Sequence, residues 1–182
     1  MNWIILLKPF FKLLNALRTL FNSLERSYDK LRIKETCISY TEPLNVRKER
    51  SFVTSNTTLG KNVNFNGMKI YGQGHVSIGD NFHSGKNCKM ITDTHNYNSG
   101  NAIPYDDTYI VKNITIEDNV WIGEDVTILG GVTIEEGAII QAGSVVTTSI
   151  PKCAIAGGHP ATPFKYRDTT HYEQLKKEGK FH

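Results

Sequence analysis

At 182 residues, 39% of them hydrophobic, the chain is long enough to close one sizeable core, and its formal net charge of +3 is too small to argue for a nucleic-acid partner. Three cysteines, Cys37, Cys88 and Cys153, form an odd and widely spaced set. They argue against a disulfide framework or a structural zinc site and suit a reducing compartment, with the cytoplasm as the expected location.

Residues 1–36 predict an amphipathic helix. Phe10, Leu13, Leu14, Leu17, Leu20, Phe21 and Leu24 recur at intervals of three and four, while Lys12, Asn15, Arg18, Asn22 and Arg26 fall opposite. Pro9 is expected in the first turn. The stretch WIILL ahead of it is too short to span a bilayer and has no charged leader, so neither a signal peptide nor a transmembrane helix is expected. Two roles stand open for the apolar face. One is packing on the body of the protein or on a neighbouring subunit. The other is peripheral membrane contact through residues 1–26, with Trp3 and the phenylalanines at the lipid interface and Lys8, Lys12, Arg18 and Arg26 near anionic head groups.

Residues 37–56 lose the pattern, and Pro43 with the charged run VRKER reads as a connecting segment. From 57 to 163 a different order takes over. An aliphatic residue returns every sixth position at Ile116, Ile122, Ile128, Ile134, Ile140 and Val146, and four positions after each comes Val120, Val126, Val132, Ala138, Ser144 or Ile150. A six-residue unit can bury two side chains on a short strand and turn a corner with Gly, Asp or Asn, as at Gly123, Asp125, Gly131 and Gly143. Three such units close a triangular coil, and coils stack into a prism with an aliphatic column inside.

The earlier coils are less regular. Leu59, Val63 and Phe65 precede a one-residue slip around 70–76, after which Ile78, Ser84 and Met90, with Phe82, Cys88 and Thr94, are in phase. Polar, turn-rich sequence interrupts the repeat over 95–109, and the phase resumes at Ile110. An insertion between coils has to project, and loops on a rigid scaffold are where sites are built. Residues 164–182 are read as a tail with a short exposed helix from Asp168 to Lys180.

The run NVWIGEDVTILGGVTIEEGAIIQAGSVVTTSIPKCAIAGGHPAT resembles the hexapeptide-repeat acyltransferases. The resemblance implies an all-β solenoid, a left-handed parallel β-helix, flanked here by the amino-terminal helix and the short carboxy-terminal one. Handedness rests on the resemblance alone, because parallel crossovers in general are right-handed. It further implies acetyl-coenzyme A as donor, no required metal, and a homotrimer with a site between each pair of subunits.

Within this frame His95 of MITDTHNYN resembles the histidine that serves as general base in the family. An alcohol is a poor nucleophile until its proton is removed, and imidazole, with an unperturbed pKa of about 6.5, can take that proton and return it to the leaving thiol. Asp93, two residues earlier, orients the imidazole, contacts the acceptor or caps a turn. Asn87, Asn96 and Tyr97 are candidate acceptor contacts. Trp121 of NVWIG matches the family's tryptophan near the thioester, with outward packing as the alternative. Gly123, Ala142, Thr147 and Thr148 match the coenzyme groove, although many relatives carry Lys or Arg where Thr148 stands. Lys165 and Arg167 are candidates to pair with coenzyme phosphates.

The expected activity is O-acetylation of a carbohydrate hydroxyl in bacterial surface polysaccharide synthesis (capsule, O-antigen or exopolysaccharide). Alternatives within the family are N-acetylation of an amino sugar and O-acetylation of a streptogramin- or chloramphenicol-type drug. A γ-type carbonic anhydrase would need three histidines converging on zinc, and a non-catalytic scaffold would have no use for TDTH beside an excursion.

Overall fold

The computed structural model describes residues 3–47 and 50–182. Of the features read from the sequence, the side chain of Trp3 and residues Lys48 and Glu49 of the charged run lie outside the described residues. The first element, α1 (Trp3–Thr36), already includes the WIILL stretch, so Pro9 lies inside the helix and not in its first turn. It is rooted on the prism by its last turns. Ile33 is buried, Asp29 Oδ2 accepts from Ser51 N at 2.8 Å, and the Arg32 guanidinium stands 5.6 Å from the Phe52 ring centroid.

The prism has three faces of parallel strands. Its first coil contains β1 (Leu44–Val46) with bridges at Ser39 and Phe52. The second is β2 (Thr57–Leu59), β3 (Val63–Asn66) and β4 (Lys69–Tyr71). The third is β5 (Val76–Ile78), β6 (His83–Lys86) and β7 (Lys89–Ile91), after which β8 (Asp93–His95) and β9 (Tyr109–Val111) leave the body as an antiparallel pair. The winding continues through β10 (Ile114–Ile116), β11 (Trp121–Ile122), β12 (Thr127–Leu129), β13 (Thr133–Ile134), β14 (Ile139–Ile140) and β15 (Val145–Val146). The end is closed by β16 (Ala154–Gly158), its antiparallel partner β17 (Ala161–Tyr166), and α2 (Thr169–Lys177).

The first face is β2, β5, β10 and β13; the second is β1, β3, β6, β11, β14 and β16; the third is β4, β7, β12 and β15. Corresponding strands stack in register, as Ile122 on Ser84 and Ile140, and Ile128 on Met90 and Val146. All twelve in-phase residues from Ile116 to Ile150 are buried. Burying one fully removes roughly 1.5–3 kcal/mol worth of apolar contact with water for a Val- or Ile-sized side chain, and the column repeats that term down the prism.

Three expectations are corrected. Residues 37–56 are not merely a connector: β1 pairs with β3, and Leu44, Ser51 and Val53 are buried, so this stretch forms the first coil beneath α1. Thr94 is exposed and Ile110 only half-buried, because they face one another across the β8–β9 pair and lie outside the column. The buried residue at that corner is Thr92, and the winding resumes at Ile114. Finally, α2 is docked. Its Tyr172 is buried, its hydroxyl donates to Glu136 Oε1 at 2.9 Å, and Asp168 caps its start by accepting from His171 N at 3.0 Å.

The corner between the first and second faces explains where α2 sits. Asn62, Asn81 and Asn119 all adopt positive φ, which their short amide side chains tolerate. Their amides form a ladder, Asn62 to Asn81 at 3.1 Å and Asn81 to Asn119 at 2.9 Å, and Asn119 passes the last donor to the Tyr172 hydroxyl at 3.0 Å. No helix among the described residues is long and apolar enough to cross a membrane.

Candidate functional site

The β8–β9 hairpin leaves from the edge between the third and first faces. Thr92 anchors it: its hydroxyl donates to Tyr71 O at 2.9 Å and accepts from Gly74 N at 3.0 Å. Gly72 is required here, since its φ is +93° and a Cβ would come within 2.4 Å of Thr92 Oγ1. Asp93 belongs to the same corner. Its Oδ2 accepts from Gln73 N at 3.0 Å, so its carboxylate caps the turn.

His95 pairs across the hairpin with Tyr109. Its ring stacks on Tyr105, centroids 3.8 Å apart and planes 14° apart, and lies 4.6 Å from the Tyr109 ring. Its Nδ1 is buried and has no hydrogen-bond partner within the chain. Such an atom forgoes its hydration for nothing unless another molecule completes it.

The loop behind this ring is tied by its own polar groups. Asn96 Nδ2 donates to Thr108 Oγ1 at 3.1 Å, while its Oδ1 accepts from Ser99 N at 3.1 Å. Asp106 accepts from the Thr108 hydroxyl and from the amides of Asn101 and Thr108, and these bonds hold its carboxyl below the usual value. Asn96 therefore shapes the loop, whereas Tyr97 stands 71% exposed and free to meet a ligand.

The other predicted residues occupy other parts of the prism. Trp121 projects from the second face, half-exposed, between His83 on β6 and Ile139 on β14. A groove of about 540 Å³ runs on one side of it over Gly85, Gly123, Ala142 and Phe164. The coils stack closely beside it: a Cβ on Gly123 would lie 2.5 Å from Ala142 N, and one on Gly85 2.4 Å from Glu124 N. A second groove of about 550 Å³ lies on the other side, between Trp121 and α2.

Thr147 and Thr148 are exposed on the same edge as the hairpin, further along the prism. Lys165 is exposed on β17. Arg167 is occupied: its Nη1 donates to Gly137 O at 3.1 Å and its guanidinium stacks 4.8 Å over the Tyr172 ring, so it fastens α2. Asn87 is likewise occupied at the second–third edge, with φ +54°, accepting from Lys69 Nζ at 3.1 Å and donating to Asp125 Oδ1 at 2.7 Å.

Two features escaped the sequence reading. Tyr105 and Tyr109, which hold the His95 ring, become visible only once the hairpin register is known. His83 is on β6 beside Trp121, and burial lowers its basicity. Among the described residues no three His, Cys, Asp or Glu side chains come together to hold a metal ion.

The profile of the bacterial transferase hexapeptide family (six repeats) matches residues 113–148. No curated protein sequence matches significantly. Among solved structures, a galactoside acetyltransferase in complex with coenzyme A is 32% identical, with a TM-score of 0.65 over 76% of this chain and 70% of that one. A maltose O-acetyltransferase from Clostridium difficile 630 is 25% identical, with a TM-score of 0.63 over 81% of this chain and 89% of its own. A hexapeptide-repeat acetyltransferase from Vibrio cholerae is also 25% identical, with a TM-score of 0.62 over 84% and 87% of the two chains. Repeat, prism and relatives agree, and this chain is an acyltransferase belonging to the hexapeptide-repeat family with the left-handed parallel β-helix fold.

Proposed function

We propose that the protein transfers acetyl from acetyl-coenzyme A to a hydroxyl of a carbohydrate, with His95 as general base, in the cytoplasmic synthesis of a bacterial surface polysaccharide. The observation that carries the reading is His95 itself: an imidazole held between two tyrosines on a projecting hairpin, with a buried nitrogen that nothing in the chain completes. Similarity to enzymes named for galactosides and maltose supports a sugar acceptor.

In this mechanism the imidazole takes the acceptor proton as the hydroxyl oxygen attacks the thioester carbonyl carbon. The tetrahedral intermediate, its oxyanion met by a backbone N–H at a coil corner, collapses by breaking the C–S bond. The imidazolium then gives its proton to the leaving thiolate, which restores the base and balances the step. Coenzyme A lies in the groove beside Trp121, over Gly123 and Ala142 and near Lys165, whereas Thr147 and Thr148 are on the hairpin's edge, outside this groove. Because His95 and this groove are on different edges of one prism, a site is completed by two chains, and the assembly is a homotrimer with three equivalent sites.

The discriminating experiment follows thiol release from acetyl-coenzyme A with neutral hexosides, nucleotide sugars, lipid-linked oligosaccharides, amino sugars and phenicol drugs as acceptors. Faster release with an unaminated sugar than with any amine or drug is expected. Release driven only by an amino sugar or a drug would replace the reading with one of the two alternatives.

A further inference from the structure

Along α1 a strict heptad runs through Leu7, Phe10, Leu14, Leu17, Phe21, Leu24, Tyr28 and Leu31, with alternating spacings of three and four. Every one of these side chains is exposed, between 43 and 61%. Contact with the prism is confined, among the described residues, to the last turns around Asp29 and Ile33. At 1.5 Å per residue the helix is about 51 Å long, so most of that length stands clear of the body with its apolar stripe bare.

The period identifies the cover. A straight helix turns 3.6 residues per turn, so a seven-residue stripe drifts by roughly 20° per heptad and stays on one line only if helices wind around each other. A helix lying on a flat lipid surface has no use for that period. One flank of the stripe carries Phe11, Arg18 and Glu25 at seven-residue intervals beside the seam, so it turns from apolar to charged towards the prism. Glu25 lies next to Phe21 and Tyr28, where insertion into lipid would desolvate a carboxylate, whereas at the edge of a helical bundle it stays in water. On the other flank, Leu13 and Leu20 widen the stripe beyond what two strands need, which suits three or more. The seam also continues to the root on the prism, so any copies joined through their prisms in a cyclic assembly present these helices parallel and at the same end.

We propose that α1 is an assembly stalk whose Leu7–Leu31 seam packs, parallel and in register, against the same seam of other copies of this chain. The test uses the full-length protein carrying Leu17→Cys on the seam or Asn22→Cys on the opposite face, with the unsubstituted protein as control for Cys37, Cys88 and Cys153. Under mild oxidation Leu17→Cys forms an interchain disulfide at least about tenfold faster than Asn22→Cys, because packing raises the local thiol concentration far above that in bulk. A second variant, Leu17→Asp with Leu24→Asp, lowers the mass measured by light scattering at low micromolar concentration while the β-sheet spectrum is retained. Equal cross-linking rates would overturn the proposal. So would flotation of the unsubstituted protein with phosphatidylglycerol vesicles accompanied by loss of the Leu17→Cys cross-link, which would assign the stripe to lipid.

Discussion

The imidazole of His95 lies nearly parallel to the ring of Tyr105, 3.8 Å away, although the two residues are ten apart on a polar excursion from the repeat. That stack fixes the ring plane, and the pairing of β8 with β9 fixes the backbone that carries it. A base held in one orientation reaches its proton without first giving up rotamer freedom.

Replacing His95 with Ala therefore lowers kcat by about two to four orders of magnitude, the range for a positioned acid–base group. The KM for acetyl-coenzyme A changes little, since the proposed groove is elsewhere on the prism. Steady-state kinetics at saturating acceptor read both quantities.

Tyr105→Phe keeps the stack and retains near-normal kcat. Tyr105→Ala removes it and lowers kcat by about tenfold, an aromatic pair being worth about 0.5–1.5 kcal/mol beyond burial. The readout that separates positioning from general damage is the melting temperature, which stays unchanged in Tyr105→Phe and falls by no more than about 2–4 °C in Tyr105→Ala, because Tyr105 is half-exposed on a loop.

The solenoid was legible because its period is a packing rule. Each in-phase residue from Ile116 to Val146 has one inward direction available, and all six are buried. The same rule misplaced Thr94 and Ile110, since periodicity counts residues and does not sense where the chain leaves the coil. The first coil was hidden because its buried Leu44, Ser51 and Val53 are not spaced by six and are covered from above by α1. Roles at the edges were harder still. Asp93 caps Gln73 and Arg167 fastens Tyr172, and neither preference is written in residue type, since the same groups serve ligands equally well.

Ile128→Ala in the column lowers stability by about 2–5 kcal/mol, because Ile128 is fully buried and its neighbours Met90 and Val146 belong to stacked strands that cannot collapse into the space. Chemical denaturation followed by circular dichroism measures it.

Docking of α2 is acid-sensitive. Burial raises the Glu136 carboxyl, but hydrogen bonds from Lys176, Tyr172 and Lys152 outweigh it and hold the group below its ordinary value of 4.5. A depressed folded value means the contribution is complete above about 4.5 and is lost as pH falls through the lower folded value. Melting temperature in the unsubstituted protein accordingly drops on that acid limb, and Glu136→Gln, starting lower at neutral pH, shows a shallower fall.

The most direct measurement is of the product. Incubation of the protein with ¹³C-acetyl-coenzyme A and the best sugar acceptor, followed by NMR and mass spectrometry, identifies the atom that receives the label. The account predicts an acetyl ester on a sugar hydroxyl, removed by alkaline hydroxylamine and absent with His95→Ala. An amide that resists hydroxylamine, or an ester formed at full rate by His95→Ala, would contradict it.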